Sequence, residues 1–460
     1  MSSDPDAAAA EHLTTTEHDD TGPLLVPIGH YVGAVYQDGA RGVRRQVRRG
    51  ATFHDLTDDQ FAIWSAAHGT QAAVQAGVTW HRQSLEAQVA GLAGAGGLID
   101  EMLDIGLLAE VRPAPDQVLE FARSYRLVPL MLGLGNSTDE AGMFDIGFLH
   151  QPVLSVSYPI YDLWQWSTVD DSIWATCENA AEVAQRSGYP NPAYVDPTRL
   201  LAGLLRSIHA LLAARAVYLD IGFRLNWPEV AAVETTRMRE TVDYSQRAEP
   251  LILPIGHYLG ARVPQGGADA DVHLVRIGWE TYRLEDNEQL AVWALAHGLP
   301  TTGSDEEPSW TRSTIEGAAR VSGIPNVATT LFDLISRDLL VEVTPGTVDA
   351  VAFAQAYRTR SLLVGLGNTA AEPTLYGLAA SETAPPVVKV PIFAYELWTW
   401  GHTCDSLWHT CHVLAATGDP ADPERSDPRR VLTRCLSAIR LLLACGAIYL
   451  DEAREEVVEG

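Results

Sequence analysis

Lysine is almost absent from this chain. Lys389 is the only one in 460 residues, and Lys plus Arg total 32 against 59 Asp plus Glu, for a formal net charge of −27. So few cations disfavour nucleic acid and anionic membrane as partners, because binding either depends on a surplus of positive charge. Amine-based covalent chemistry is left with one side chain. Within Val387-Val388-Lys389-Val390-Pro391, Lys389 reads as a charge on a strand edge, with a Schiff-base role as the alternative.

Cysteine is scarce as well. The five residues Cys177, Cys404, Cys411, Cys435 and Cys445 are an odd number and four lie in the second half, which fits reduced thiols better than a secreted disulfide framework. Long uncharged apolar runs are missing. The most apolar windows, 200–219 and 431–450, contain Arg206, His209 and Arg215, or Arg434 and Arg440, so both read as buried helices instead of membrane spans. Residues 1–23 lack the basic start and apolar stretch of a signal peptide and read as a disordered acidic tail. The expected location is cytoplasmic, and no cofactor is implied.

What the chain does have is repetition. Leu25-Val26-Pro27-Ile28-Gly29-His30-Tyr31-Val32-Gly33-Ala34 returns as Ile252-Leu253-Pro254-Ile255-Gly256-His257-Tyr258-Leu259-Gly260-Ala261. Matches continue in order to Val217-Tyr218-Leu219-Asp220 and Ile448-Tyr449-Leu450-Asp451. His30 and His257 are 227 residues apart, Gly133 and Gly365 are 232, and Tyr218 and Tyr449 are 231, the drift expected of two copies with small loop insertions. The reading is an acidic tail at 1–23, a first copy at 24–222, a linker at 223–250, a second copy at 251–453 and an acidic tail at 454–460. Each copy, of about 200 residues, is long enough to bury its own core.

Each copy opens on an apolar strand ending in Gly-His-Tyr, followed by a second strand over 43–53 or 272–282. Acidic starts at Thr57-Asp58-Asp59 and Glu285-Asp286 and stops at His68-Gly69 and His297-Gly298 bound a first helix. A second helix follows Trp80-His81-Arg82 or Trp310-Thr311-Arg312, with Ser313 and Glu316 in a capping-box pattern. A third, over 97–105 or 326–336, leads into a strand at 107–111 or 339–343. Three helices and then a strand resemble a winged helix-turn-helix over a third of each copy. Downstream lie a helix at 117–125 or 351–357 and a strand ending in Gly133-Leu134-Gly135-Asn136 or Gly365-Leu366-Gly367-Asn368. An aromatic helix and a long apolar helix starting at Asp196-Pro197 or Asp427-Pro428 close each copy. The expected fold is α+β and helix-rich: a tandem duplication of a winged-helix-like domain with long C-terminal helices, paired about a pseudo-twofold with a groove between copies.

No motif of comparable strength names a chemistry. A winged helix invites DNA binding, yet the third helices carry Asp100, Glu101 and Asp104, or Asp333 and Asp338 against Arg337, where base reading needs cations or amides. The basic cluster Arg41, Arg44, Arg45, Arg48 and Arg49 reads as a solvated strand face or a dock for acidic segments. His402, Cys404, His409, Cys411 and His412 crowd one segment. On a helix Cys404, Cys411 and His412 would share one face at spacings of seven and eight, and packing is set against a zinc site. Gly-Leu-Gly-Asn reads as a hairpin turn requiring positive φ, with a phosphate cradle as the alternative. His30, His68, Arg82, Asp171 and Cys177 recur in the second copy, and their convergence in one pocket would point to an enzyme.

Trp164, Trp166, Trp174, Trp398, Trp400 and Trp408 supply the aromatic surface for a ligand groove. The expectation is a non-catalytic binding or regulatory protein, with a basic protein or peptide or a small apolar ligand as its partner. The alternatives are a tailoring enzyme with one degenerate copy, using His402, Asp405, His409 and Cys411, and a winged-helix transcriptional regulator.

Overall fold

The structure is a computed structural model that describes residues 22–36, 43–137, 140–189, 191–222, 249–263, 272–298, 310–418 and 421–454. The tails expected at 1–23 and 454–460, the linker expected at 223–250 and Arg41 lie wholly or almost wholly outside the described residues.

The fold is mixed α+β. The chain begins with β1 (Leu24–Pro27), β2 (His30–Tyr36), β3 (Val43–Arg49) and β4 (Thr52–Leu56). Next come α1 (Asp58–Ala66), α2 (Gln71–Gln75), α3 (Arg82–Gln88), α4 (Ala95–Asp104), β5 (Leu108–Val111) and α5 (Pro115–Ser124). Four strands follow: β6 (Tyr125–Pro129), β7 (Leu132–Gly135), β8 (Met143–Phe148) and β9 (Gln151–Ser157). The first half ends with α6 (Tyr158–Trp166), α7 (Ile173–Arg186), α8 (Pro197–Ala213) and β10 (Val217–Ile221).

The second half opens with β11 (Leu251–Pro254), β12 (His257–Arg262), β13 (Val272–Ile277) and β14 (Glu280–Leu284). It continues through α9 (Asn287–Leu295), α10 (Arg312–Val321), α11 (Val327–Ser336), β15 (Leu340–Val343), α12 (Val348–Ala356) and β16 (Tyr357–Ser361). Then come β17 (Val364–Gly367), β18 (Leu375–Ala379), β19 (Val388–Pro391), α13 (Ile392–Gly401), α14 (Leu407–Ala416), α15 (Pro423–Ser426), α16 (Pro428–Ala444) and β20 (Ile448–Glu452).

The segments read as single strands at 43–53 and 272–282 each fold into two, turning at Gly50 and Gly278, whose φ values of 56° and 53° suit glycine. Both three-helix segments end on the expected strand, and in the first the short α2 also lies between α1 and α3. β5 pairs antiparallel with β1, and β15 with β11. Leu24 also bridges to His81, and Leu251 to Thr311. In each half the strand after the third helix is therefore covered by the strand that opens that half, not by a wing hairpin following it.

Contacts divide the chain into two compact units that do not follow its linear halves. One comprises the described residues of Met1–Phe223, Tyr258–Arg283 and Leu362–Val390; the other those of Arg224–His257, Leu284–Ser361 and Pro391–Gly460. The first unit holds two six-stranded sheets, ordered β14-β13-β12-β7-β8-β9 and β19-β18-β17-β2-β3-β4. Each joins three strands of one half to three of the other through a parallel contact, Ala261 opposite Gly135 and Gly367 opposite Ala34.

Those contacts explain Gly-Leu-Gly-Asn. Its last glycine has the expected positive φ, 81° at Gly135 and 74° at Gly367, where β7 and β17 lead into their antiparallel partners β8 and β18. It is also a strand crossing: a Cβ on Gly135 would lie 1.7 Å from the Ala261 carbonyl oxygen, and one on Gly367 2.0 Å from that of Ala34. The asparagine locks each crossing. Asn136 Oδ1 accepts from Val263 N at 2.9 Å, and Asn368 Oδ1 accepts from Tyr36 N at 2.7 Å.

A large apolar core lies against the first sheet, with Leu200, Leu201, Leu204, Ile208, Leu211 and Leu212 of α8 buried at helical spacing beside Trp164, Ile146 and Leu259. In the second unit α16 buries the same kind of stripe, Val431, Leu432, Cys435, Leu436, Ile439, Leu442 and Leu443.

Candidate ligand-binding groove

A groove of about 750 Å3 opens in the first unit between α6, α7 and the β12–β14 hairpins. Its walls follow from simple periodicities. On α6, Tyr158, Asp162, Gln165 and Trp166 line it, at spacings that share one helical face. The opposite face of α6 sends Ile160, Tyr161, Leu163 and Trp164 into the core. On α7, which starts at Ser172 with its hydroxyl accepting from Ala175 N, the lining residues are Thr176, Asn179, Ala180 and Val183, again three and four apart. Val272 and Leu274 of β13, then Trp279, Thr281 and Arg283, line the facing wall with the period of two that strands impose. Arg262 and Val263 at the end of β12 complete it.

Charge sits inside this groove. Burial pushes the Asp162 carboxyl above its ordinary range, opposed by the Arg262 guanidinium and by hydrogen bonds from Gln165 and Trp166. Gln165 Nε2 donates to Asp162 Oδ1 at 2.7 Å. Arg262 stands 5.6 Å from the centre of the Tyr158 ring and 5.8 Å from that of Phe144, within cation–π range. Burial and the nearby Asp162 push the Tyr158 phenol up to about 12. The indoles of Trp166 and Trp279 lie nearly parallel at 15°, their centres 6.1 Å apart. Trp279 is 55% exposed, so a large aromatic face is held at the mouth. A side cavity of about 100 Å3 adjoins the groove, sharing Tyr158 and Asp162 and adding Tyr189, Tyr194 and Leu200.

Of the six tryptophans expected to line a groove, Trp166 is among these walls. Trp164 is fully buried and donates its indole N–H to Ala216 O at 3.3 Å. Trp174 is half-buried beside Arg123, 6.0 Å from its ring centre. In the second unit, Trp398 is fully buried and its carbonyl accepts from Ser361. Trp400 is half-buried, and the edge of Trp408 meets His412 at 4.9 Å. Arg262, Trp279, Asp162 and Gln165 were not singled out in the sequence. The four-residue step from Tyr158 to Asp162 and the tryptophan directly after the Gly278 turn were the available signals.

The residues weighed for zinc are engaged separately. His402 Nδ1 lies 3.1 Å from Ser361 Oγ, and Cys411 Sγ is 3.8 Å from Cys435 Sγ. Burial pushes the Cys404 thiol up to about 12 and that of Cys411 well above its ordinary value, which works against thiolate ligation. His409 N donates to Ser406 Oγ. Among the described residues no group of three or more His, Cys, Asp or Glu is gathered to hold a metal.

Of the recurring residues of the first half, His30, His68, Arg82, Asp171 and Cys177 do not line the groove or its side cavity. His30 stacks on Tyr218 at 4.4 Å, and His68 Nδ1 meets Trp64 O at 3.0 Å. Arg82 pairs with Glu86 and Asp100, Cys177 is wholly buried in the core, and Asp171 is exposed. The basic cluster is largely neutralised: Arg44 pairs with Asp55, Arg45 with Asp58 and Arg48 with Asp220, while Arg49 donates to Ile105 O. Lys389 pairs with Glu372. Among the described residues no helix is long and apolar enough to cross a membrane. No family model, curated protein or solved structure matches the chain.

Proposed function

We propose that this is a non-catalytic binding protein of the cytoplasm that holds a small, largely flat ligand in the groove between α6, α7 and the β12–β14 hairpins, with a regulatory outcome. One observation carries the reading: Gln165 is only 2% exposed, yet its side-chain oxygen has no hydrogen-bonding partner and it lines the groove. Buried acceptors are nearly always satisfied, and an exception within a site calls for a partner. The volume lies within the range of small-molecule sites, and the mixture of aromatic walls with a few polar groups is typical of them.

The chain is best read as a tandem duplication. Its halves repeat the same order of strands and helices around winged-helix-like segments, and the exchanged strands make it a pseudo-dimer. In that reading the groove belongs to one side only. The positions matching Arg262, Trp279 and Arg283 hold Val35, Ala51 and Asp55. A duplicated scaffold that keeps its glycines while one side gains Arg and Trp is consistent with one specialised binding site. A basic peptide is the less favoured occupant, because Arg262 and Arg283 stand in the walls against a single Asp162.

Titration of the full chain with anilinonaphthalene sulfonate, an aromatic anion, tests the reading. One saturable equivalent is expected, and Trp279→Ala should weaken binding about tenfold, or about 1.4 kcal/mol, without lowering the melting temperature. No saturable binding, or equal affinity in Trp279→Ala, would remove the groove as the site.

A further inference from the structure

The geometry of Gln165 points to a ligand class: we propose that the groove selects flat heteroaromatic lactams, rings in which an N–H adjoins a carbonyl, over equal rings lacking that N–H. This rests on the groove being the ligand site. Because a carboxylate only accepts, the Gln165 amide must turn its NH2 toward Asp162, where the 2.7 Å bond forms. Its oxygen is thereby committed to the remaining side, and it is the atom without a partner. The missing counterpart is a donor. Gln165 is fixed within α6 and buried to 2% exposure, so the ligand has to bring that donor to it.

The donor need not be charged. Asp162 already faces the Arg262 guanidinium as its opposing charge, and an ammonium beside Gln165 would meet that guanidinium as a like charge. Arg262 lines the same groove and offers N–H groups suited to a ligand carbonyl, so the proposed ligand carries both a donor and an acceptor. Flatness comes from the walls. Trp166 and Trp279 present near-parallel indole faces, with Tyr158 also lining the groove, and stacked rings favour planar partners.

Quinolin-2(1H)-one and its N-methyl derivative share ring and carbonyl and differ at the N–H. Competing each against anilinonaphthalene sulfonate on the full chain should show the N–H compound displacing it at about tenfold lower concentration, the loss expected when a buried acceptor is left unmet. In Gln165→Met, with each compound titrated directly by quenching of tryptophan fluorescence, the two should become equal. Equal potency of the pair on the native chain overturns the lactam class, as does a preference that survives Gln165→Met. Tighter binding of 2-phenylethylammonium than of quinolin-2(1H)-one also overturns it. The native-chain comparison decides alone if Gln165→Met fails to fold. Failure of the sulfonate to bind would instead remove the groove itself, so the two failures are told apart before any quinolone is added.

Discussion

Single residues decide how the strands of the first unit can meet. Gly135 has φ 81° and Ala261 O lies where its Cβ would stand, 1.7 Å away, so both backbone conformation and space demand glycine. Gly135→Ala should cost about 2–4 kcal/mol in denaturant unfolding. Gly188 has φ 65° and open space around it, so Gly188→Ala should cost about 1 kcal/mol. Equal losses would contradict the close approach. Asp220 is wholly buried, accepts from Gly50 N at 2.7 Å and pairs with Arg48 at 3.2 Å, with Arg126 at 3.9 Å. Asp220→Asn leaves two buried guanidinium groups without this countercharge, so a loss of about 3–5 kcal/mol is expected. A loss below about 1 kcal/mol would show that these groups find other compensation.

At the scale of elements, what was legible in the sequence was local. Asp196 and Asp427 cap α8 and α16 as their Asp-Pro pairs indicated, accepting from Thr198 N and Arg429 N. The capping box expected at Ser313 is not used: α10 starts after Thr311 without a side-chain cap, while Thr57 and Gln60 form a full box on α1. What could not be read was which strand lies beside which. Ala261 meets Gly135 at a sequence separation of 126, and no periodicity encodes a partner that distant. The groove was hidden for the same reason, since Trp166 and Trp279 become neighbours only once β12 has docked on β7. Asn136 fixes that docking through Val263 N and through Ala141 O, to which it donates at 2.9 Å. Asn136→Ala should lower stability by about 1–3 kcal/mol by leaving Val263 N–H unpaired. It should also weaken anilinonaphthalene sulfonate binding, because Arg262 and Val263 line the groove. Unchanged binding in a destabilised variant would separate the crossing from the site.

For the whole molecule, acidity and chain exchange set the limits. Burial holds His30 down to about 3 and His209 and His297 down to about 4, whereas an unfolded histidine titrates near about 6.5. The unfolded chain therefore takes up protons first as pH falls. The contribution of these histidines is complete above about pH 6.5 and is lost toward pH 4, by up to about 1.4 kcal/mol per pH unit for each. Denaturant unfolding at pH 7 and pH 5 should show this loss, and a flat profile would mean these rings ionise in place. The exchanged strands lead to a second test. In the first unit β2 is flanked by β3 and β17, and β7 by β8 and β12, so a fragment of residues 1–248 exposes one edge of β2 and one of β7. Bare edges seek partners. The sequence of β12 matches β2, and Gly365-Leu366-Gly367-Asn368 matches Gly133-Leu134-Gly135-Asn136, so a second fragment can supply each missing strand with the first one's own chemistry. The fragment should therefore form a homodimer in sedimentation or light-scattering measurements, with β2 of each copy beside β7 of the other. A folded monomer would mean that the parallel contacts are not what completes these sheets, and would remove the main support for reading the chain as a fused dimer.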